Sequence, residues 1–145
     1  MESPSYPTRR ITRDHRVRVL VVDDEPVVLN VTSRMLEEAG YAVSIAPSAR
    51  EALRLLGIGD PAVHLVLTDV VMPETDGRQL GQMIGQRHPA VPILYMSAYP
   101  EHDVLHRGSP GPGLPFLSKP FSAEDLITAI ERLLAKPVSQ RPAVS

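Results

Sequence analysis

The sequence predicts an α/β fold, a doubly wound parallel sheet with helices on both faces. Three observations carry this. Short β-branched apolar runs alternate with segments of helical periodicity. The runs are apolar at nearly every position, as strands buried on both faces are, and not at every second one. Polar residues stand at the C-terminal ends of these runs.

The first strand is "VRVLVVDD" (17 to 24). Glu25-Pro26 then opens a segment with Val28, Val31, Met35 and Ala39 at helical spacing, which Gly40 closes. "YAVSIA" (41 to 46) is the second strand. Ser48 and Glu51 have the capping-box pattern ahead of Ala52, Leu53, Leu55 and Leu56, and Gly57-Ile58-Gly59 reads as that helix's C-cap and loop. The third strand is "VHLVLT" (63 to 68). Leu80, Met83 and Ile84 mark a helix face weakened by Gly81 and Gly85, and "VPILYMS" (91 to 97) is the fourth strand. The fifth, "PFLSK" (115 to 119), is short. Ahead of it, "HRGSPGPGLP" (106 to 115) carries three prolines and three glycines. Such a run cannot continue a helix, so the fourth helix is expected to be one or two turns around Glu101 to His106. Ser122 caps a last helix with Glu124 and Asp125 in its first turn and Arg132 and Lys136 near its end. Leu126, Ile127, Ile130, Leu133 and Leu134 form its apolar side.

With 145 residues and 43% hydrophobic composition, one globular domain is expected. Its bounds are 17–136, between a flexible basic arm (1–16) and a flexible tail (137–145). The absence of cysteine excludes disulfides and thiolate metal sites. No apolar run approaches a membrane span and the first 16 residues hold no apolar signal segment, so a cytoplasmic protein without a membrane segment is expected. A net charge of -2 gives no global reason for nucleic-acid binding. Arg9, Arg10, Arg13, Arg16 and Arg18 are interspersed with Pro, Asp and His, the pattern of a solvated linker. Nine residues follow Lys136, so output is expected through a downstream protein target or phosphoryl relay and not through a DNA-binding domain.

Asp23 and Asp24 follow the first strand, Asp69 the third, Ser97 the fourth and Lys119 the fifth. All five therefore gather at one sheet edge, the edge where open α/β sheets bind ligands. Converging carboxylates repel one another unless they share a cation, and an oxygen-only ligand set without His or Cys suits Mg²⁺. Lys119 and Ser97 are able to contact phosphoryl oxygens. A carboxylate oxygen of Asp69 aimed at phosphorus is then able to form an aspartyl phosphate.

In "VVDDEP", "LTDVVMPETDG", "MSA" and "LSKPF", residues 17 to 136 resemble the receiver domains of bacterial two-component response regulators. The resemblance implies a flavodoxin-like sheet of order 2-1-3-4-5 and a signalling module that is not an ordinary enzyme. It implies Asp69 as phosphoacceptor, Asp24 as a direct Mg²⁺ ligand, Asp23 as a water-mediated one and the Val71 carbonyl as a further ligand, with Mn²⁺ able to substitute. Ser97 and Phe116 would be the switch pair, Lys119 the phosphoryl partner behind a cis Lys119-Pro120 bond, and Val71 and Tyr99 the residues that tune phosphoryl lifetime. The implied donor is a histidine kinase or histidine phosphotransfer protein. The short fourth helix is similar to that of receivers attached to hybrid histidine kinases.

Rival readings fail on particular residues. A haloacid dehalogenase-like phosphatase using Asp69 as nucleophile needs an Asp two residues later, where Val71 stands. An FMN carrier would not place Asp23-Asp24-Glu25 against a phosphate. His102 and His106 lie four apart with no third metal ligand, and the sequon Asn30-Val31-Thr32 falls inside a helix.

Overall fold

The computed structural model describes residues 16–73, 76–98 and 115–135. Strands β1 (Arg18–Val22), β2 (Ala42–Ala46), β3 (Leu65–Asp69), β4 (Ile93–Ser97) and β5 (Phe116–Ser118) alternate with helices α1 (Pro26–Glu38), α2 (Ala49–Ile58) and α3 (Gly77–Arg87), and α4 (Ala123–Ala135) follows β5. All strand pairs are parallel, in the order β2-β1-β3-β4-β5. The expected short helix around Glu101 to His106 lies outside the described residues, as do residues 1–15, Tyr99 and the tail. Among the described residues no helix is long and apolar enough to cross a membrane.

The period of two along each strand divides the core. Leu20, Val22, Val66 and Tyr95 point to one side, where they pack with Ala52 and Leu56 of α2 and Leu80 and Ile84 of α3. Val19, Val21, Leu65, Leu67, Leu94 and Met96 point to the other, against Leu29 and Leu36 of α1 and Leu126, Ile130 and Leu133 of α4. The central strands are therefore buried on both faces, which is why their sequences show no alternation.

Helix ends follow local chemistry. Ser48 Oγ accepts the Glu51 N–H at 3.2 Å and Ser122 Oγ accepts the Asp125 N–H at 3.0 Å. Only half of the predicted capping box forms, because the Glu51 carboxylate pairs with Arg54 instead of reaching back. Gly59 ends α2 in the left-handed region at φ 75°, and Gly40 follows α1 at φ 98°.

Two expectations need correction. The third strand begins at Leu65 and includes Asp69, so the acid is a paired strand residue, opposite Met96. Residues 63 and 64 form its approach, where His64 Nδ1 accepts the Arg18 N–H at 2.9 Å. The buried stripe of α1 is Leu29, Thr32 and Leu36, about one residue around from the predicted stripe. Val28 and Met35 are half-buried, while Val31 is 49% exposed and Ala39 is the exposed C-cap. The longer leucines reach the sheet and leave the valines toward solvent. Thr32, the third residue of the sequon, is buried within α1.

Leu36→Ala should therefore cost about 2–5 kcal/mol in urea unfolding, whereas Val31→Ala should stay within about 0.5 kcal/mol. A comparable loss in Val31→Ala would restore the stripe read from the sequence.

Candidate phosphoacceptor site

The sheet order reverses at β1, whose neighbours are β2 and β3, and the acidic residues stand at the C-terminal ends of β1 and β3. Backbone bonds continue the ladder one step past the strands. The Asp23 N–H donates to the Ala46 carbonyl at 3.2 Å, the Val70 N–H to Met96 at 3.0 Å and the Lys119 N–H to Ser97 at 2.7 Å. Asp23, Asp69 and Lys119 are thereby held at the rigid edge of the sheet.

The carboxylate oxygens of Asp23, Asp24 and Asp69 lie within 4.8 Å of one another. Asp23 is fully buried, Asp69 is 8% exposed and Asp24 is open to solvent. Lys119 Nζ stands 2.9 Å from Asp23 Oδ2 and 3.4 Å from Asp69 Oδ1, so one ammonium bridges two carboxylates from different strands. The second oxygen of Asp23 accepts the Glu25 N–H at 2.9 Å. The Lys119-Pro120 bond is cis. Ser97 is buried as the last residue of β4. Phe116 is half-buried and packs on the side of α2 and α3, next to Tyr95 across the strand pair. Val71, two residues past Asp69, is 39% exposed. Tyr99, His102 and His106 lie outside the described residues.

Sequence reasoning assigned no role to Asp76 and Gly77, which shape the entry to α3 beside Asp69. Asp76 Oδ1 accepts the Gln79 N–H at 2.9 Å and so caps α3. The Gly77 N–H donates to the Val70 carbonyl at 2.6 Å, drawing the helix start onto the end of β3. A Cβ at Gly77 would overlap the Asp69 carbonyl oxygen and sit 2.9 Å from Val70 Cα. The available signal was a glycine at the first position of a helix, where propensity disfavours it.

Residues 19–131 match the family described as the response regulator receiver domain, and the chain belongs to that family. It is 38% identical over 119 residues to the sensor kinase CckA of Brucella abortus, which covers 81% of this chain and 12% of that protein. It is 35% identical over 120 residues to the transcriptional regulatory protein PdtaR of Mycobacterium tuberculosis, covering 82% of this chain and 57% of PdtaR. The chain thus spans well under two thirds of the length of these relatives. Among solved structures, a response regulator receiver protein of Sinorhizobium medicae superposes with a TM-score of 0.71 at 31% identity, over 83% of this chain and 95% of that one. The receiver domain of the hybrid histidine kinase CckA gives 0.67 at 29% identity, over 81% and 98%.

The electrostatics test whether the donor set fits a metal. Burial raises the Asp69 pKa from 3.8 to about 6; Lys119 opposes that shift, while Asp23 and Asp24 add to it. Burial works to lower the Lys119 pKa, but its hydrogen bond to Asp23 and the charge of Asp69 outweigh that and raise it. One ammonium therefore does not neutralise three carboxylates. An oxygen-only cluster with excess negative charge fits a hard divalent cation such as Mg²⁺.

A raised folded pKa means that protonated Asp69 stabilises the fold. That contribution is full below about pH 3.8 and is lost as pH rises through about 6. Without divalent metal, Asp69→Asn should be more stable than wild type at pH 8, by something on the order of 3 kcal/mol. Urea unfolding should show the gap closing toward pH 4 and narrowing at pH 8 when Mg²⁺ is added. A gap independent of pH would mean that the Asp69 charge is already compensated.

Proposed function

We propose that the domain accepts a phosphoryl group onto Asp69 from a phosphohistidine of a histidine kinase or histidine phosphotransfer protein, in the cytoplasm, with Mg²⁺ required. The observation that carries the reading is the nearly buried Asp69 carboxylate held 3.4 Å from Lys119 beside two further carboxylates. An Asp69 oxygen attacks phosphorus as the P–N bond breaks, its electron pair remaining on the imidazole nitrogen. Lys119 meets the charge on a phosphoryl oxygen, and Ser97 donates its hydroxyl to another. Asp23, Asp24, Asp69 and the Val71 carbonyl would hold the Mg²⁺, whose charge offsets repulsion between the carboxylates and the incoming phosphoryl group. The response to modification follows from Ser97. As its hydroxyl moves toward the phosphoryl group, Phe116 turns into the space behind it and biases the surface of β5 and α4 toward a second packing.

Incubation with acetyl phosphate and Mg²⁺ should add one phosphoryl group to wild type by intact mass and none to Asp69→Asn. Equal uptake by the variant would take the acceptor role from Asp69.

The two remaining aspartates have different work. Both oxygens of Asp23 are engaged, one by Lys119 and one by the Glu25 N–H, whereas Asp24 is exposed. A metal would thus be held directly by Asp24 and through water by Asp23. Magnesium titration should show a larger loss of affinity in Asp24→Asn than in Asp23→Asn. The reverse order would exchange the roles.

A further inference from the structure

Tyr95 is the largest side chain fully buried in the core, and its hydroxyl has no hydrogen-bond partner among the described residues. A buried hydroxyl without an acceptor destabilises the packing that holds it, while phenylalanine would fill nearly the same space without that loss. In the unmodified protein the oxygen therefore contributes nothing favourable.

Its surroundings point to where it does contribute. Thr68, Tyr95 and Phe116 are register partners on β3, β4 and β5, so they form one row on the face toward α2 and α3. The Tyr95 ring thus stands between the strand that carries Asp69 and the aromatic residue of β5. The charged groups that its hydroxyl feels are Asp76 and Arg78, at the start of α3. Asp76 spends Oδ1 on the Gln79 N–H, and its Oδ2 is 3.8 Å from Arg78, a loose contact. That carboxylate is also tied to the acceptor strand, because Gly77 bonds to Val70, one residue past Asp69.

We infer that Tyr95 is a positioning residue of the switch, whose hydroxyl gains the Asp76 carboxylate as acceptor in the phosphorylated packing. Phe116 turning inward presses on the neighbouring Tyr95 ring and moves its hydroxyl toward the α3 N-terminus. The new bond then holds α3 against the end of β3. The inference rests on the reading of Asp69 as phosphoacceptor.

The test compares wild type, Tyr95→Phe, Asp76→Asn and the double variant, each by urea unfolding without ligand and by titration with beryllofluoride and Mg²⁺. Asn caps a helix as well as Asp does, so Asp76→Asn keeps α3 while weakening the acceptor. Tyr95→Phe should leave the stability of the unmodified protein equal or raised, and should weaken beryllofluoride binding roughly fivefold, the share of one net hydrogen bond. In the double variant the two losses should combine to less than their product, the sign of direct coupling. Tyr95→Phe binding beryllofluoride as tightly as wild type overturns the inference, as does equal destabilisation of both forms, which would place a bridging water on the hydroxyl in each. Losses that simply multiply overturn the assignment of Asp76 as acceptor. A wild type that takes up no beryllofluoride overturns the phosphoacceptor reading, and this inference with it.

Discussion

The ammonium of Lys119 between Asp23 and Asp69 is the contact on which the functional edge depends. Asp23 is fully buried and comes from the β1 edge, Asp69 ends β3, and the lysine comes from the far strand of the sheet. Two carboxylates this close and this dry would separate without a cation between them. The ammonium permits the sheet to close its C-terminal edge with its acids pointing together. It does not finish the neutralisation, since Asp24 adds a third carboxylate and burial keeps the Asp69 pKa raised. The cluster therefore carries excess negative charge, which a divalent cation would relieve. Cation affinity and metal-free stability are opposite faces of one arrangement.

Such an arrangement requires a stiff frame. The sheet supplies it, with every residue of β3 and β4 buried and hydrogen bonds extending the ladder one residue past the strand ends. The entry to α3 is equally constrained, because the Gly77 backbone packs on the Asp69 carbonyl where a side chain would collide. Asp69 is thereby joined by close packing to the start of α3 at Gly77, and the same edge continues from β4 to β5 through the backbone bond of Lys119 to Ser97.

Much of this was legible from residues alone because two signals agree. Apolar runs such as "VLVV" mark strand positions, and acids at their ends place Asp23, Asp24 and Asp69 at one edge. The stripe of α1 was less legible. Val27, Val28, Val31, Leu29 and Leu36 offer two apolar stripes about 100° apart, and periodicity does not rank them. Depth decides, because the leucines span the distance to the sheet. Glu51 misled for a related reason: the capping-box pattern names an acceptor three residues on, but Arg54 competes for it within the same turn. Gly77 and Tyr95 were opaque because their importance lies in contacts across strands and helices. Nothing in "ILYMS" distinguishes an aromatic that fills the core from one whose hydroxyl lacks an acceptor.

The two incomplete interactions of the domain have a common logic. An under-neutralised carboxylate cluster and an unpartnered buried hydroxyl both destabilise the unmodified packing without breaking it. A fully satisfied core would hold one arrangement firmly and resist conversion. A core with unmet groups at Asp69 and at Tyr95, beside Phe116, would lie closer in free energy to an alternative in which those groups find partners. Under the proposed function, a phosphoryl group and its cation would need to supply only the remaining difference, since a ligand shifts a two-state equilibrium by its differential affinity and by nothing more. On the proposed reading, marginal satisfaction at these two places would let one covalent change at Asp69 repack an otherwise close-packed sheet edge.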